Sequence, residues 1–213
     1  MTRIKTESRT LTNGAPGKSL YLLYDPRARK HHAAESYVEY EGLLTMLYDR
    51  NIVSMEVQPK GFTISDRDGE FKYTPDVRYV HGQGTIEYRE FKEDFDALSP
   101  DDKERYRRIK AHLHRLGFGY SIEDARTWRI GHRLANIKLL YRYAGLEPDT
   151  ALLAWLNQRL GPRPGSYDIW TFLSQLGKER LPALYRLLWE QSVAVDIAGA
   201  PLDDDSLLWR VQA

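Results

Sequence analysis

Between Asn51 and Glu93 short apolar runs alternate with turn signals at Gln58-Pro59-Lys60-Gly61, Asp66-Arg67-Asp68-Gly69 and His81-Gly82-Gln83-Gly84. Runs of β-branched and aromatic residues cut in this way predict consecutive strands. They fall at residues 52–57, 62–65, 71–80 and 85–92, and Asp68-Gly69 is a tight-turn pair that predicts a hairpin. Helical spacing flanks the strands. Upstream, residues 33–49 place Val38, Leu43, Leu44, Met46 and Leu47 at helix-compatible intervals. Downstream, Ser99-Pro100-Asp101 is a helix start with a capping hydroxyl, proline at the first position and acids in the first turn. Tyr106, Ile109, Leu113 and Leu116 then repeat at threes and fours, Gly117 supplies a stop, and residues 118–122 predict one more strand. Helix, hairpin-linked strands, helix, strand is an α/β nuclease-like order rather than a doubly wound nucleotide fold.

The remainder reads as mostly helical, with segments at 130–143, 149–160, 166–176 and 178–191 separated by punctuation such as Gly161-Pro162-Arg163-Pro164-Gly165. Alternation then returns at Val193, Val195 and Ile197, and again at 207–211 after a Gly199-Ala200-Pro201 turn. Short helices followed by a β-hairpin predict a winged-helix-like domain. The expected organisation is an N-terminal extension over 1–30, an α/β core over 31–125 and the helical domain over 126–213. The first ~15 residues are expected to lack fixed structure.

Composition narrows the chemistry. With 42% hydrophobic and 29% charged residues the chain has ordinary globular usage, which argues against wholesale disorder. No run approaches the ~18 apolar residues of a membrane span, and residues 1–16 lack the apolar core of a secretory signal, so no membrane partner and a cytoplasmic setting are expected. There are no cysteines, which excludes disulfides, thiolate nucleophiles and Cys-ligated metal. Any metal must be held by oxygen or imidazole. Lys+Arg 31 against Asp+Glu 30 leaves basic surface to be local.

The most informative stretch is Tyr73-Thr74-Pro75-Asp76, followed fourteen residues on by Glu90-Phe91-Lys92. Side chains alternate along a strand, so Glu90 and Lys92 share a face, and a hairpin can bring Asp76 beside them. Two carboxylates and an ammonium at a sheet edge suit a hard divalent cation and phosphodiester hydrolysis. Alternating charges on a strand are more often a solvated face. What favours chemistry is the order: an acid-bearing helix, Pro-Asp on a hairpin, Glu-x-Lys on a strand, then a basic helix. That is the layout of the restriction-endonuclease-like PD-(D/E)xK superfamily.

Within it, the sequence resembles the TnsA endonuclease subunit of heteromeric transposases. The resemblance spans residues 33–122 and rests on Glu35-Ser36-Tyr37-Val38-Glu39, Ser54-Met55-Glu56-Val57-Gln58-Pro59 with Phe62, Tyr73-Thr74-Pro75-Asp76 and Glu90-Phe91-Lys92. It implies that Asp76, Glu90 and Glu39 bind Mg²⁺ or Mn²⁺, with Glu35 the alternative to Glu39, and that Lys92 is the catalytic lysine. Glu93-Asp94 departs from the family pattern, which expects proline or a neutral residue after the lysine. The resemblance further implies cleavage of the 5′ ends of a transposon, alongside a separate transposase subunit and an AAA+ ATPase regulator.

Gln58 reads either as a strand terminus or as a residue reaching the DNA or metal. His31 and His32, being adjacent, share no face and read as solvated or backbone-contacting. Trp155, Trp170, Trp189 and Trp209 read as core or interface aromatics. Double-stranded DNA is the expected ligand of two basic stretches. One is the helix after Ser99, with Arg107 and Arg108; the other carries Arg126, Arg129, Arg133, Lys138 and Arg142 with no acid between them. The acidic run Asp203-Asp204-Asp205 would repel phosphate, which favours protein docking at that edge. Two further settings fit the pattern: a stand-alone nuclease of a phage or defence system, and a non-catalytic DNA- or partner-binding scaffold.

Overall fold

In a computed structural model that describes residues 3–5, 10–12 and 19–212, the chain is mixed α/β and divides into two compact units at Trp128/Arg129. The first begins with β1 (Arg3–Lys5) paired antiparallel to β2 (Thr10–Thr12). Strands therefore occupy part of the segment expected to lack structure; the rest of that segment lies outside the described residues. β3 (Tyr21–Asp25) and β4 (Lys30–Ala34) form an antiparallel hairpin where the sequence predicts an extension running into a helix. The Asp25 side chain closes its turn by accepting the N–H groups of Arg27 (2.8 Å) and Ala28 (3.1 Å). Alternation sends His31 outward against the Tyr24 ring and His32 inward. His32 is therefore not solvated: its Nε2 stands 3.5 Å from Asp25 Oδ2.

α1 (Tyr37–Tyr48) starts at Ser36 rather than at residue 33. Ser36 Oγ accepts the Glu39 N–H (3.2 Å), and the Glu39 carboxylate accepts the Ser36 hydroxyl (2.9 Å) and the Glu35 N–H (3.0 Å). This reciprocal arrangement satisfies donors that open a helix. From Glu41 to Tyr48 every residue of α1 is buried.

The central sheet has the order β10-β9-β8-β5. β8 (Val77–His81) pairs antiparallel with β5 (Ile52–Val57) on one side and with β9 (Ile86–Lys92) on the other, and β10 (Gly119–Asp124) runs parallel to β9. α2 (Pro100–Arg115) makes that parallel connection. Its cap is as expected: Ser99 Oγ accepts the Asp102 N–H, and Gly117 turns the chain at φ +83°. β6 (Phe62–Asp66) and β7 (Gly69–Tyr73) form a separate hairpin that turns at Arg67-Asp68, with Gly69 at φ +111° opening β7. The strand predicted at 71–80 is thus two strands. Pro75 has no N–H to continue a ladder, and the chain passes from one sheet to the other at Thr74–Asp76. α3 (Ala125–Trp128) closes the unit.

Both faces of β9 are covered. One meets a core of Ile64, Tyr73, Tyr88, Tyr106, Ile109, Leu113 and Tyr120. On the other, Phe91 packs against Gly42 of α1 and stands edge-on to Trp128 at 5.8 Å.

The second unit contains α4 (Arg133–Tyr141), α5 (Thr150–Asn157), α6 (Ile169–Leu176), a 3₁₀ turn (Lys178–Arg180), α7 (Leu181–Trp189) and an antiparallel pair, β11 (Val193–Val195) with β12 (Leu208–Arg210). Asn136 ties the segment after β11 to α4: its amide donates to the carbonyls of Ile197 (3.0 Å) and Ala200 (2.7 Å) and accepts the Leu202 N–H (2.9 Å). Trp189 is core, whereas Trp170 is 60% exposed. No described helix is long and apolar enough to cross a membrane.

Gly42 gives a test of the packing between α1 and β9. Gly→Ala inside a helix ordinarily stabilises by roughly 0.5–1 kcal/mol. Here an added Cβ would overlap the Phe91 ring, so Gly42→Ala is expected to destabilise by about 1–3 kcal/mol. Thermal or urea melts read the sign; a stabilised variant would contradict this packing.

Candidate active site

The register of β8 against β9 builds the site. Val77 lies opposite Arg89, which brings Asp76, one residue earlier, to the level of Glu90. Asp76 Oδ2 accepts the Phe91 N–H at 2.8 Å. Its own carbonyl accepts the Gln58 N–H at 2.7 Å. Gln58 ends β5 in a left-handed conformation, φ +49°, with its side chain buried. Its backbone thus performs the strand-terminating role and pins Asp76 as well.

Glu90 is buried, as few carboxylates are unless partnered. Oε2 accepts the Tyr73 hydroxyl at 2.7 Å; Oε1 accepts Lys92 Nζ at 2.7 Å and the Tyr106 hydroxyl at 3.2 Å. The Tyr73 and Tyr120 hydroxyls are 3.2 Å apart. Three tyrosines from β7, α2 and β10 therefore surround one carboxylate. None of them was a candidate from sequence, because each occupies an apolar-stripe or strand-core position. The signal available was chemical: buried tyrosines need hydroxyl partners.

Burial first, then the charges of Glu90 and Glu39, raises the Asp76 carboxyl well above the ordinary range, against the pull of the Phe91 N–H and Lys92. Burial opposes charge on Lys92, yet the Glu90 carboxylate outweighs it and holds the ammonium above its usual pKa. Burial also raises Glu39, against the Glu35 N–H and Ser36 hydroxyl, with the charges of Glu35 and Glu90 adding to the rise.

Asp76, Glu90 and Lys92 are thus brought together. Glu39 lies near enough for its charge to act on Asp76, but its oxygens are engaged at the cap of α1. Among the described residues no three Asp, Glu or His side chains are grouped around one ion position. The carboxylate oxygens of Asp76 and Glu90 are of the type that hard divalent cations take, and burial together with the charges of Glu90 and Glu39 disfavours ionisation of Asp76.

The basic residues divide differently from expectation. Arg126 bridges three carboxylates, Asp94 (3.2 Å), Asp96 (2.9 Å) and Asp124 (2.7 Å). Arg107 pairs with Glu104 at 2.6 Å. Arg108 grips Asp66 through two bonds of 2.8 and 2.6 Å and so ties α2 to the β6–β7 hairpin. These three have carboxylate partners rather than open charge. In the second unit Arg129 and Arg142 are exposed, and Arg133 and Lys138 are half-buried. His112 lies against the Phe62 ring and His114 is exposed.

Fold and site define a mixed α/β protein with a buried two-carboxylate, one-lysine cluster on adjacent antiparallel strands. No protein-family model and no curated protein matches the chain.

Asp76→Asn keeps an acceptor for the Phe91 N–H and removes a buried acid. Because the folded-state pKa is raised, wild type loses stability as pH climbs from the unfolded-state value of 3.8 toward the folded one. Without divalent cations the variant is expected to be more stable by about 1–3 kcal/mol near pH 7, with the gain vanishing near pH 4. Paired melts at the two pH values check this; a gain independent of pH, or a loss at neutral pH, would contradict it.

Proposed function

We propose that the chain is a Mg²⁺- or Mn²⁺-dependent DNA endonuclease with a PD-(D/E)xK core, and that it acts as the TnsA-like subunit of a transposition assembly. The observation that carries this reading is the convergence of Asp76, Glu90 and Lys92 at the bend between β7 and β8, with the Asp76 carboxyl pushed upward by burial and by its acidic neighbours. Asp76 and Glu90 are the residues that would hold the cation. When bound, it supplies charge stabilisation for a phosphoryl oxygen and a more acidic attacking water.

The side chains supply position and proton inventory. Phe91 and Gln58 hold Asp76 from opposite sides, and the tyrosines hold Glu90. Glu90 in turn orients Lys92. A lysine whose pKa is raised stays an ammonium at neutral pH. Lys92 therefore serves as a donor and a counter-charge for the pentavalent phosphate rather than as a base.

The carboxylate partners of Arg107, Arg108 and Arg126 favour an assembly over a stand-alone nuclease, because partners would then deliver the DNA. On this reading the second unit is the winged-helix-like accessory domain. Its exposed Asp203–Asp205 segment suits a protein partner, a transposase subunit or AAA+ ATPase, better than phosphate.

Nicking of supercoiled plasmid with Mg²⁺ or Mn²⁺, alone and with the transposase and ATPase of the assembly, tests the proposal. Asp76→Ala and Lys92→Ala are each expected to lower the rate by about 100-fold or more. Either variant cutting as well as wild type would refute the site.

A further inference from the structure

β8 carries a cation that the cluster does not use. Arg78 lies opposite Tyr88 of β9 on one side and opposite Glu56 of β5 on the other. Residues directly opposite in a sheet share a face. Arg78 therefore stands on the same face as Tyr88, Glu90 and Lys92, two residues along from Asp76. That separation is roughly 7 Å along a strand.

The two halves of this face differ. On β9 and β10, Tyr88 and Tyr120 belong to the core formed with α2 and the β6–β7 hairpin. Toward β5, the last strand of the sheet, the same face is open: Ser54 is exposed, and Glu56, Arg78 and Val80 are half-buried. On the reverse side of these two strands Met55, Val57, Val77 and Tyr79 are all buried. The open half is thus a ledge that adjoins the carboxylates.

Two other half-buried arginines of this unit are neutralised, Arg89 by Glu123 at 3.0 Å and Arg108 by Asp66 at 2.6 Å. Arg78 is not. Among the described residues no carboxylate closes an ion pair with it, although Glu56 stands opposite. Its guanidinium lies by the Tyr88 hydroxyl, whose pKa burial raises and the arginine charge pulls back. A guanidinium presents five N–H donors in a planar fork, and one phenol oxygen leaves most of them unused. Such a fork matches the oxygens of a phosphate.

A second cation lies on the far side of Asp76. Lys60 is exposed on the turn that follows Gln58. At Gly61 this turn runs so close to the bend that an added Cβ would stand 2.8 Å from both the Tyr73 carbonyl and the Thr74 hydroxyl. That contact seats Lys60 beside Thr74–Asp76.

We propose that Arg78 and Lys60 bind phosphates of a DNA strand on either side of Asp76, so that the strand crosses the open β8–β5 ledge rather than helix α2. The place of the scissile phosphate between them rests on the nuclease reading; the two phosphate contacts do not.

The test is a salt series of binding to a labelled DNA duplex by the full chain in EDTA, read by anisotropy. Arg78→Ala and Lys60→Ala are each expected to weaken binding about tenfold at low salt and to lower the slope of log affinity against log salt by about one. Arg78→Lys should keep the slope. Glu56→Gln, which removes the acid opposite Arg78, should tighten binding by about two- to threefold. Lys30→Ala, which removes an exposed cation of β4, is the control and should leave affinity and slope unchanged. Melts confirm that each variant is folded. An Arg78 that served the fold alone would lower the melting temperature and leave the slope intact. That result, wild-type binding without salt dependence, or an equal loss with Lys30→Ala would overturn the proposal. A slope lowered by Arg78→Ala in a chain whose cutting does not need Asp76 would sink the nuclease site and leave the contacts standing. Asp76-dependent cutting with a slope indifferent to Arg78→Ala and Lys60→Ala would do the reverse.

Discussion

Val77 pairs with Arg89 across two antiparallel strands, and the chemistry of the molecule depends on that register. It sets Asp76 beside Glu90 and lets the Phe91 N–H, one residue along, hold the Asp76 carboxylate. A slip of one residue would turn Glu90 and Lys92 to the face occupied by Phe91. The α1 helix and Trp128 would then meet charge instead of an aromatic ring. The register is secured from both sides: Gly42 leaves room for Phe91 on one face, and Tyr88 enters the core under α2 on the other.

Placing carboxylates in such a position costs stability, and their surroundings show how the cost is contained. Glu90 accepts two tyrosine hydroxyls and an ammonium, so its burial is compensated by charge-assisted hydrogen bonds. Asp76 is buried, with one backbone donor and two acidic neighbours, and its carboxyl pKa rises accordingly. A satisfied glutamate thus sits next to an aspartate that resists ionisation. That asymmetry links fold energetics to the proposed chemistry.

Much of this was legible in the chain. The turn at Asp68-Gly69, the β5 and β9 strands, the Ser99-Pro100 start of α2 and the shared face of Glu90 and Lys92 all follow from local pattern. Other features depend on what lies far away in sequence. The β3–β4 hairpin was missed because His31-His32-Ala33-Ala34 has none of the β-branched residues that mark strands. The break at Thr74–Asp76 was hidden because alternation continues through Pro75 while the pairing partner changes. Ser36-x-x-Glu39 is legible locally as a helix cap, and the structure bears that out; its nearness to Asp76 comes from tertiary packing. The partner of Arg108 was hidden because Asp66 lies 42 positions away, whereas Asp124, a partner of Arg126, is only two positions away. Charge counted along a helix cannot reveal a partner on another element.

The most direct measurement of the central claim is a calorimetric titration of Mn²⁺ into the full chain and three variants. If β8 and β9 pair as described and the cluster is a cation site, Asp76→Asn and Glu90→Gln should each weaken binding by about tenfold or more. Glu87→Gln, which removes an acid from the opposite face of β9, should leave it unchanged. Binding that survives Glu90→Gln, or that Glu87→Gln weakens as much, would contradict the account.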